Sequence, residues 1–331
     1  MGYISVIGAG SWGTTLASVL AEKGYGVMLW ALEEELAEEI NKEKRNSVYL
    51  PDTPLPDDLL ATSDISEAVS HARYIVSVVP TQFIRPVFIE AAASIRDEAI
   101  LVSASKGIEI TTLKTPSQIL KEVLDRPVSV LSGPSFAKEV MAKLPTAVTL
   151  ALDNTKTALL LQELFNTEYF RVYTHDDIIG VEIGGALKNV IAIASGICDG
   201  LGLGYDARAA LITRGLSEIA RLGMSMGAKK ETFSGLSGMG DLVLTCTGPL
   251  SRNYTVGHKL GQGMKLSEIT GSTRSVAEGV TTTYSAQELS KKYGIDMPIT
   301  EQVYLALYKD KPPAEAVRDL MNRSLKAEFG V

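Results

Sequence analysis

No run of lysines or arginines occurs anywhere in the 331 residues, and 32 basic against 39 acidic side chains leave a net charge of −7. That balance lacks the contiguous positive footprint a phosphate backbone or an anionic membrane surface would need. It argues against nucleic acid as a partner, and any anion the chain binds is held locally. Cysteine is nearly absent: Cys198 and Cys246 are too few for a disulfide framework and lack metal-ligand spacing. His71, His175 and His258 form no local cluster, so no metal site is expected. No window reaches about 18 uninterrupted apolar residues, the length of a membrane helix. The opening "MGYISVIGAG" has neither the basic start nor the small-residue cleavage site of a signal peptide. The expectation is a cytoplasmic protein with no integral membrane association.

What is present is 45% apolar residues on a chain long enough for two cores. Short apolar runs alternate with helix-length stretches in the first half: "YISVIGAG", "TTLASVLAEKG", "YGVMLW", "EEELAEEINKE", "ARYIVSVVP", "AILVSASKG", "PVSVLSGP". Buried Val- and Ile-rich runs separated by helices predict βαβ units, and hence an α/β, doubly wound, Rossmann-like parallel sheet. From about Asp176 the apolar residues recur instead at three- and four-residue spacing, as in "VEIGGALKNVIAIASGI" and "RAALITRGLSEIARLGMSM". The reading is a dinucleotide-binding domain over 1–180 and an all-α domain over 181–331. A last helix is predicted to start at "PPAEAVRDLMNRSLKAE", where proline suits the first turn.

Gly8-Ala9-Gly10-Ser11-Trp12-Gly13 satisfies G-x-G-x-x-G between a predicted strand at 4–7 and a predicted helix at 14–22. In that context the glycines permit a tight turn and let backbone N–H groups approach a pyrophosphate at the helix N-terminus. Glu33 lies twenty residues past Gly13, just beyond the second strand, and no cation occurs between it and Lys42. An acid there accepts hydrogen bonds from ribose hydroxyls, whereas a 2′-phosphate calls for Arg or Lys, so NAD(H) is favoured over NADP(H). Glu33, Glu34 and Glu35 also suit the N-terminus of the following helix, and both readings can hold together.

Four polar clusters follow. Lys106 comes directly after a predicted strand, near the carboxyl edge where this fold binds ligands, though an exposed loop lysine would look the same. Gly133-Pro134-Ser135 reads as a turn into a helix. Asp241, alone at the start of an apolar stretch, is either a helix N-cap or the partner of a buried cation. Ser251, Arg252 and Asn253 offer hydroxyl, guanidinium and amide donors suited to a phosphate, or form a solvated polar turn. Between them, "GGALKNVIAI" sets Lys188 in an almost uncharged helix, with Gly184, Gly185, Ile191, Ala192 and Ser195 on its face. Such a lysine either snorkels to solvent or sits in a dry cleft, where burial lowers its pKa and frees the amine as a base.

These residues, together with "GAGSWGTTLA", "VVPTQFIRPV", "LSGPSFAKEV", "SGMGDLVLTCTGPLSRNYTVG" and "SVAEGV", make the chain similar over its whole length to the NAD(P)-dependent glycerol-3-phosphate dehydrogenases. The resemblance implies a soluble, usually dimeric enzyme. It implies interconversion of sn-glycerol 3-phosphate and dihydroxyacetone phosphate, supplying phospholipid synthesis. It implies Lys188 as the base and Asn189 as a substrate contact. Lys106, Gly133 and Ser135 would touch substrate, with Asp241 beside the catalytic lysine, Thr245 as its polar partner and Ser251, Arg252 and Asn253 gripping phosphate. On the cofactor side it implies Ser11, Trp12, Tyr49, Ala137, Val276 and Glu278, with Lys106 and Arg252 contributing there too, beside Gly8, Gly10, Gly13 and Glu33 read above from the glycine turn and its spacing. One departure stands out: bacterial members commonly carry a basic residue just after the second strand, and this chain has Leu32-Glu33. The alternatives are another two-domain dehydrogenase, acting on a hydroxy acid or a nucleotide sugar, and a non-catalytic NAD(H)-binding protein.

Overall fold

The computed structural model describes residues 3–271, 277–325 and 327–328. The first apolar run forms β1 (Tyr3–Ile7) and turns through the glycines into α1 (Ser11–Glu22). Strand and helix then alternate through β2 (Val27–Trp30), α2 (Glu34–Glu43), β3 (Leu59–Thr62), α3 (Ile65–Ser70), β4 (Ala72–Ser77), α4 (Ile84–Ala91), β5 (Ile100–Ser103), α5 (Pro116–Leu124), β6 (Val128–Ser132), α6 (Ala137–Met141), β7 (Thr146–Ala151), α7 (Thr155–Phe165) and β8 (Phe170–His175). The eight strands order as β3-β2-β1-β4-β5-β6-β7-β8. The chain winds outward in one direction from β1 to β3 and in the other from β4. The carboxyl ends of β1 and β4 therefore flank a crevice, the switch point where such sheets bind ligands.

Burial on both faces explains the continuous apolar runs. Ile4 and Val6 face one helical layer and Ile7 the other, all fully buried, and each such side chain contributes about 1.5–3 kcal/mol. The sheet departs from the all-parallel expectation at one pair, since β6 and β7 are antiparallel. The five-residue α6 between them gives only a short connection, which returns the chain beside β6 in the opposite sense. Helix α1 begins at Ser11, three residues before the predicted start, because Gly13 can sit inside the first turn: a Cβ there would lie 1.9 Å from Gly8 O.

Beyond β8 the chain is helical: α8 (Ile178–Gly200), α9 (Gly204–Ser225), α10 (Asp241–Thr247), α11 (Arg252–Gly261), α12 (Leu266–Gly271), α13 (Glu278–Tyr293), α14 (Pro298–Tyr308) and α15 (Pro313–Met321). The last starts at a proline, as predicted, and ends at Met321. Helix α8 is long and apolar enough to cross a membrane, yet every residue from Gly180 to Cys198 is buried within the protein. A helix that is apolar all round belongs inside a core, and α8 is the axis on which α9, α10, α11 and α13 pack.

Helix α8 also locks the helical part to the sheet. The buried Glu182 carboxylate accepts from Thr115 Oγ1 at 2.6 Å, Ser117 N at 2.8 Å and Ser117 Oγ at 2.5 Å, closing the N-terminus of α5. Burial pushes its pKa up, opposed by those three donors.

Candidate active site

At the end of β1, Gly8 takes a φ of +115°, and a Cβ on it would meet Val78 O at 2.9 Å. Gly10 is different. Its φ of −67° suits any residue, and a Cβ there would meet nothing within 4 Å. Neither packing nor backbone conformation demands glycine here. What remains is the open space over the N-terminus of α1, which no side chain caps. That cradle fits a pyrophosphate. Trp12 Nε1, buried without a hydrogen-bond partner, lies in the same turn. Asn46 fixes the turn by donating to Ala9 O at 2.9 Å, and Ser11 Oγ donates to Tyr49 O at 3.0 Å. Gly10→Ala should therefore weaken NADH binding by about tenfold, the scale of a lost charge-assisted hydrogen bond, with the melting temperature almost unmoved. A large drop in melting temperature at unchanged Kd would contradict this reading.

The turn opens into a cleft of about 660 Å³ at the carboxyl edge of the sheet. Gly8, Gly10, Ser11, Trp12, Gly13, Glu33 and Tyr49 line one part of it; Lys106, Ser135, Lys188, Asn189, Arg252, Asn253 and Glu278 line another. Glu33 occupies the N-cap position of α2 without capping it, while Glu34 and Glu35 fill the first helical turn.

Two lysines share one carboxylate in this second part. Lys188 Nζ donates to Asp241 Oδ1 at 2.5 Å and to Thr245 Oγ1 at 2.9 Å. Lys106 Nζ donates to Asp241 Oδ2 at 2.7 Å and to Gly133 O at 3.0 Å. Lys188 is 7% exposed and Asp241 1%. Asp241 is thus the partner of the buried Lys188 and the half-buried Lys106; the N-cap of α10 is Gly240. Small residues make the approach possible, for a Cβ on Gly184 would lie 2.6 Å from Ser237 O, and one on Gly185 2.6 Å from Ser132 Oγ. Burial lowers the Lys188 pKa to about 8; Asp241 acts against that shift and the Lys106 charge adds to it. The amine is held near the pH at which it can both take and return a proton.

Asn189 and Asn253 build the adjoining wall. Asn253 Nδ2 donates to Asn189 Oδ1 at 2.9 Å, and its Oδ1 accepts from Gly279 N at 2.9 Å. Ser251 Oγ caps α11 by accepting from Tyr254 N. Glu278 accepts from Thr81 N at 3.2 Å, and burial pushes its carboxyl up to about 7 against the pull of Arg252. Gly133, Ala137, Asp241, Thr245 and Ser251 stand outside the cleft's lining. Asp241 and Thr245 instead brace Lys188 from behind, Gly133 holds Lys106, and Ala137 opens α6. Val276 lies outside the described residues.

Family models of the NAD-dependent glycerol-3-phosphate dehydrogenase N-terminus and C-terminus match residues 3–158 and 177–318. A glycerol-3-phosphate dehydrogenase [NAD(P)+] of Geobacter sulfurreducens is 57% identical over 329 residues, 98% of either chain. The chain belongs to the glycerol-3-phosphate dehydrogenase family. The glycerol-3-phosphate dehydrogenase structure from Coxiella burnetii superposes with a TM-score of 0.94 at 42% identity, covering 97% of this chain and 99% of that one. A ketopantoate reductase from Ralstonia eutropha shares the fold alone, with a TM-score of 0.63 at 15% identity over 96% of this chain and 100% of that one.

Within this family member, some cleft residues escaped the sequence reading. Phe83 stands 55% exposed on the cleft wall, and the fully buried Thr81 holds Glu278 through its N–H. The available signal was position: both follow β4 directly, at the carboxyl edge of the switch point. Pro86, Val87 and Glu90 line the cleft from α4; Pro86 and Val87 lie in the "VVPTQFIRPV" stretch of the resemblance without a role assigned to either, and Glu90 lies just beyond it.

Proposed function

We propose that this chain interconverts sn-glycerol 3-phosphate and dihydroxyacetone phosphate by hydride transfer with NAD(P)(H), with NAD(H) preferred. The observation that carries the reading is the buried Lys188–Asp241–Lys106 arrangement opening on the same cleft as the glycine turn. A protein that only sensed the nucleotide would have no use for it. Neutral Lys188 takes the C2 hydroxyl proton at Nζ in oxidation and returns it to the ketone oxygen in reduction. Asp241 fixes the direction of that nitrogen and stabilises its charged form. The Lys106 ammonium is a preorganised donor for negative charge developing on the carbonyl oxygen. Arg252 and Asn253 grip the phosphate, whose binding energy then orients the reacting carbon. Nicotinamide, when bound, supplies the hydride acceptor or donor.

The division near residue 180 into nucleotide-binding and catalytic units belongs to this reading, supported by the last strand ending at His175 and α8 starting at Ile178. So do a homodimer and supply to phospholipid synthesis, which rest on the family resemblance, and a cytoplasmic setting, which rests on the cysteine usage and the opening residues. The deciding experiment mixes protein, NADH and dihydroxyacetone phosphate and follows loss of the reduced-nicotinamide absorbance. No loss here, with turnover of a hydroxy acid or ketopantoate instead, would transfer the chain to a rival chemistry.

The pH dependence has a defined sign. Oxidation uses neutral Lys188, so its rate should climb with pH and level off above about 8; reduction uses the ammonium form and should fall over the same range. Matched profiles in both directions would remove Lys188 as the titrating group. Arg252→Ala should raise KM for the phosphorylated substrate by roughly ten- to a hundredfold, the scale of a lost charge-assisted phosphate contact. An unchanged KM with kcat falling alone would place the phosphate elsewhere.

A further inference from the structure

We propose that Glu90, on α4, is a second specificity-determining residue for the cofactor, joining Glu33 to set two carboxylates against a 2′-phosphate at the adenosine end of the cleft. The inference rests on the NAD-preferring reading above and deepens it.

Phe83, Pro86, Val87 and Glu90 all line the cleft and are spaced as one face of a helix. The opposite face of α4, Ile84, Phe88 and Ala91, is fully buried in the core layer that also contains Trp30. Trp30 is the last residue of β2, and Ala31, Leu32 and Glu33 follow it in turn. Helix α3 packs on both β2 and α4, and Glu90 and Glu33 line the same cleft. The cleft's two lysines are committed to another carboxylate, since Lys106 and Lys188 converge on Asp241.

Both carboxylates are exposed to the cleft, and neither forms an ion pair or hydrogen bond among the described residues. Their charge is available to act on a ligand. The cation on α4 is already committed. Arg85 donates through Nε and Nη2 to the Glu109 carboxylate at 3.0 and 2.8 Å, and through Nη2 to Glu122 at 3.0 Å. It is anchored away from any 2′-phosphate. Two carboxylates that pair with no cation among the described residues penalise a phosphate and do not oppose a 2′-hydroxyl.

The test measures Kd for NADH and NADPH directly, by nicotinamide fluorescence titration, in the wild type, Glu90→Gln and Glu90→Lys. An exposed position makes the fold tolerant of both changes. Glu90→Gln should cut the ratio of Kd(NADPH) to Kd(NADH) by about fivefold, the size of a screened charge–phosphate repulsion across several ångströms. Glu90→Lys should cut it further, and both effects should shrink at about 0.5 M salt. A ratio unmoved in both variants, with the wild type still preferring NADH, overturns the role of Glu90 alone. A wild type that binds NADPH as tightly as NADH overturns the NAD preference itself.

Discussion

Lys188→Met is expected to lower kcat by roughly a thousandfold, within the range a positioned general base contributes, while NADH still binds. The methionine keeps most of the apolar stem in a site where the lysine is 7% exposed, so packing is largely preserved. Asp241 would still be paired to Lys106 at 2.7 Å, leaving no orphaned buried charge to unfold the protein. The loss should therefore appear in turnover and not in melting temperature or cofactor affinity. The checks are steady-state kinetics in both directions and a fluorescence titration with NADH. Near-wild-type turnover would show that another group moves the proton.

Asp241→Asn should have an effect of comparable size by another route. It strips the negative charge from between two ammonium groups, and breaking a buried pair from one side typically costs about 3–5 kcal/mol. Asp241 is what opposes the fall in the Lys188 pKa that burial and Lys106 cause. Without it the pKa should drop below about 8, and the midpoint of the oxidation profile should move to lower pH. Reduction, which needs the ammonium form, should suffer more than oxidation at neutral pH. A midpoint that stays put or moves upward would mean that Asp241 acts by packing and not by charge. Thermal unfolding alongside the pH profile separates the stability cost from the change in the titration.

Much of this arrangement was legible in the sequence because it is written in local patterns. The glycine turn, the buried strands and the change to helical spacing after residue 176 all depend on neighbours within a few residues. Lys188 was conspicuous as one charge in an apolar helix, but its partner is 53 residues away in sequence and the second lysine 135 residues from that partner. Only the packing of α10 against α8 and of β5 beside β6 brings the three together. For the same reason Asp241 could not be told from a helix cap, nor the antiparallel β6–β7 pair from a parallel one. The carboxylate of Glu182 carried no functional signal, since its partners Thr115 and Ser117 lie in a loop and helix start far along the chain.

That carboxylate sets a limit on how the enzyme can move. Glu182 grips the α5 terminus and Lys188 is the proposed base, and both stand on α8, about 9 Å apart along its axis. The helix works as a gauge between α5, which packs on the sheet, and the Lys188 amine. Sliding it by even one residue would tear three hydrogen bonds from a buried carboxylate. Any closing of the cleft that keeps those three bonds keeps α8 in register with α5, and with it the spacing from Glu182 to Lys188.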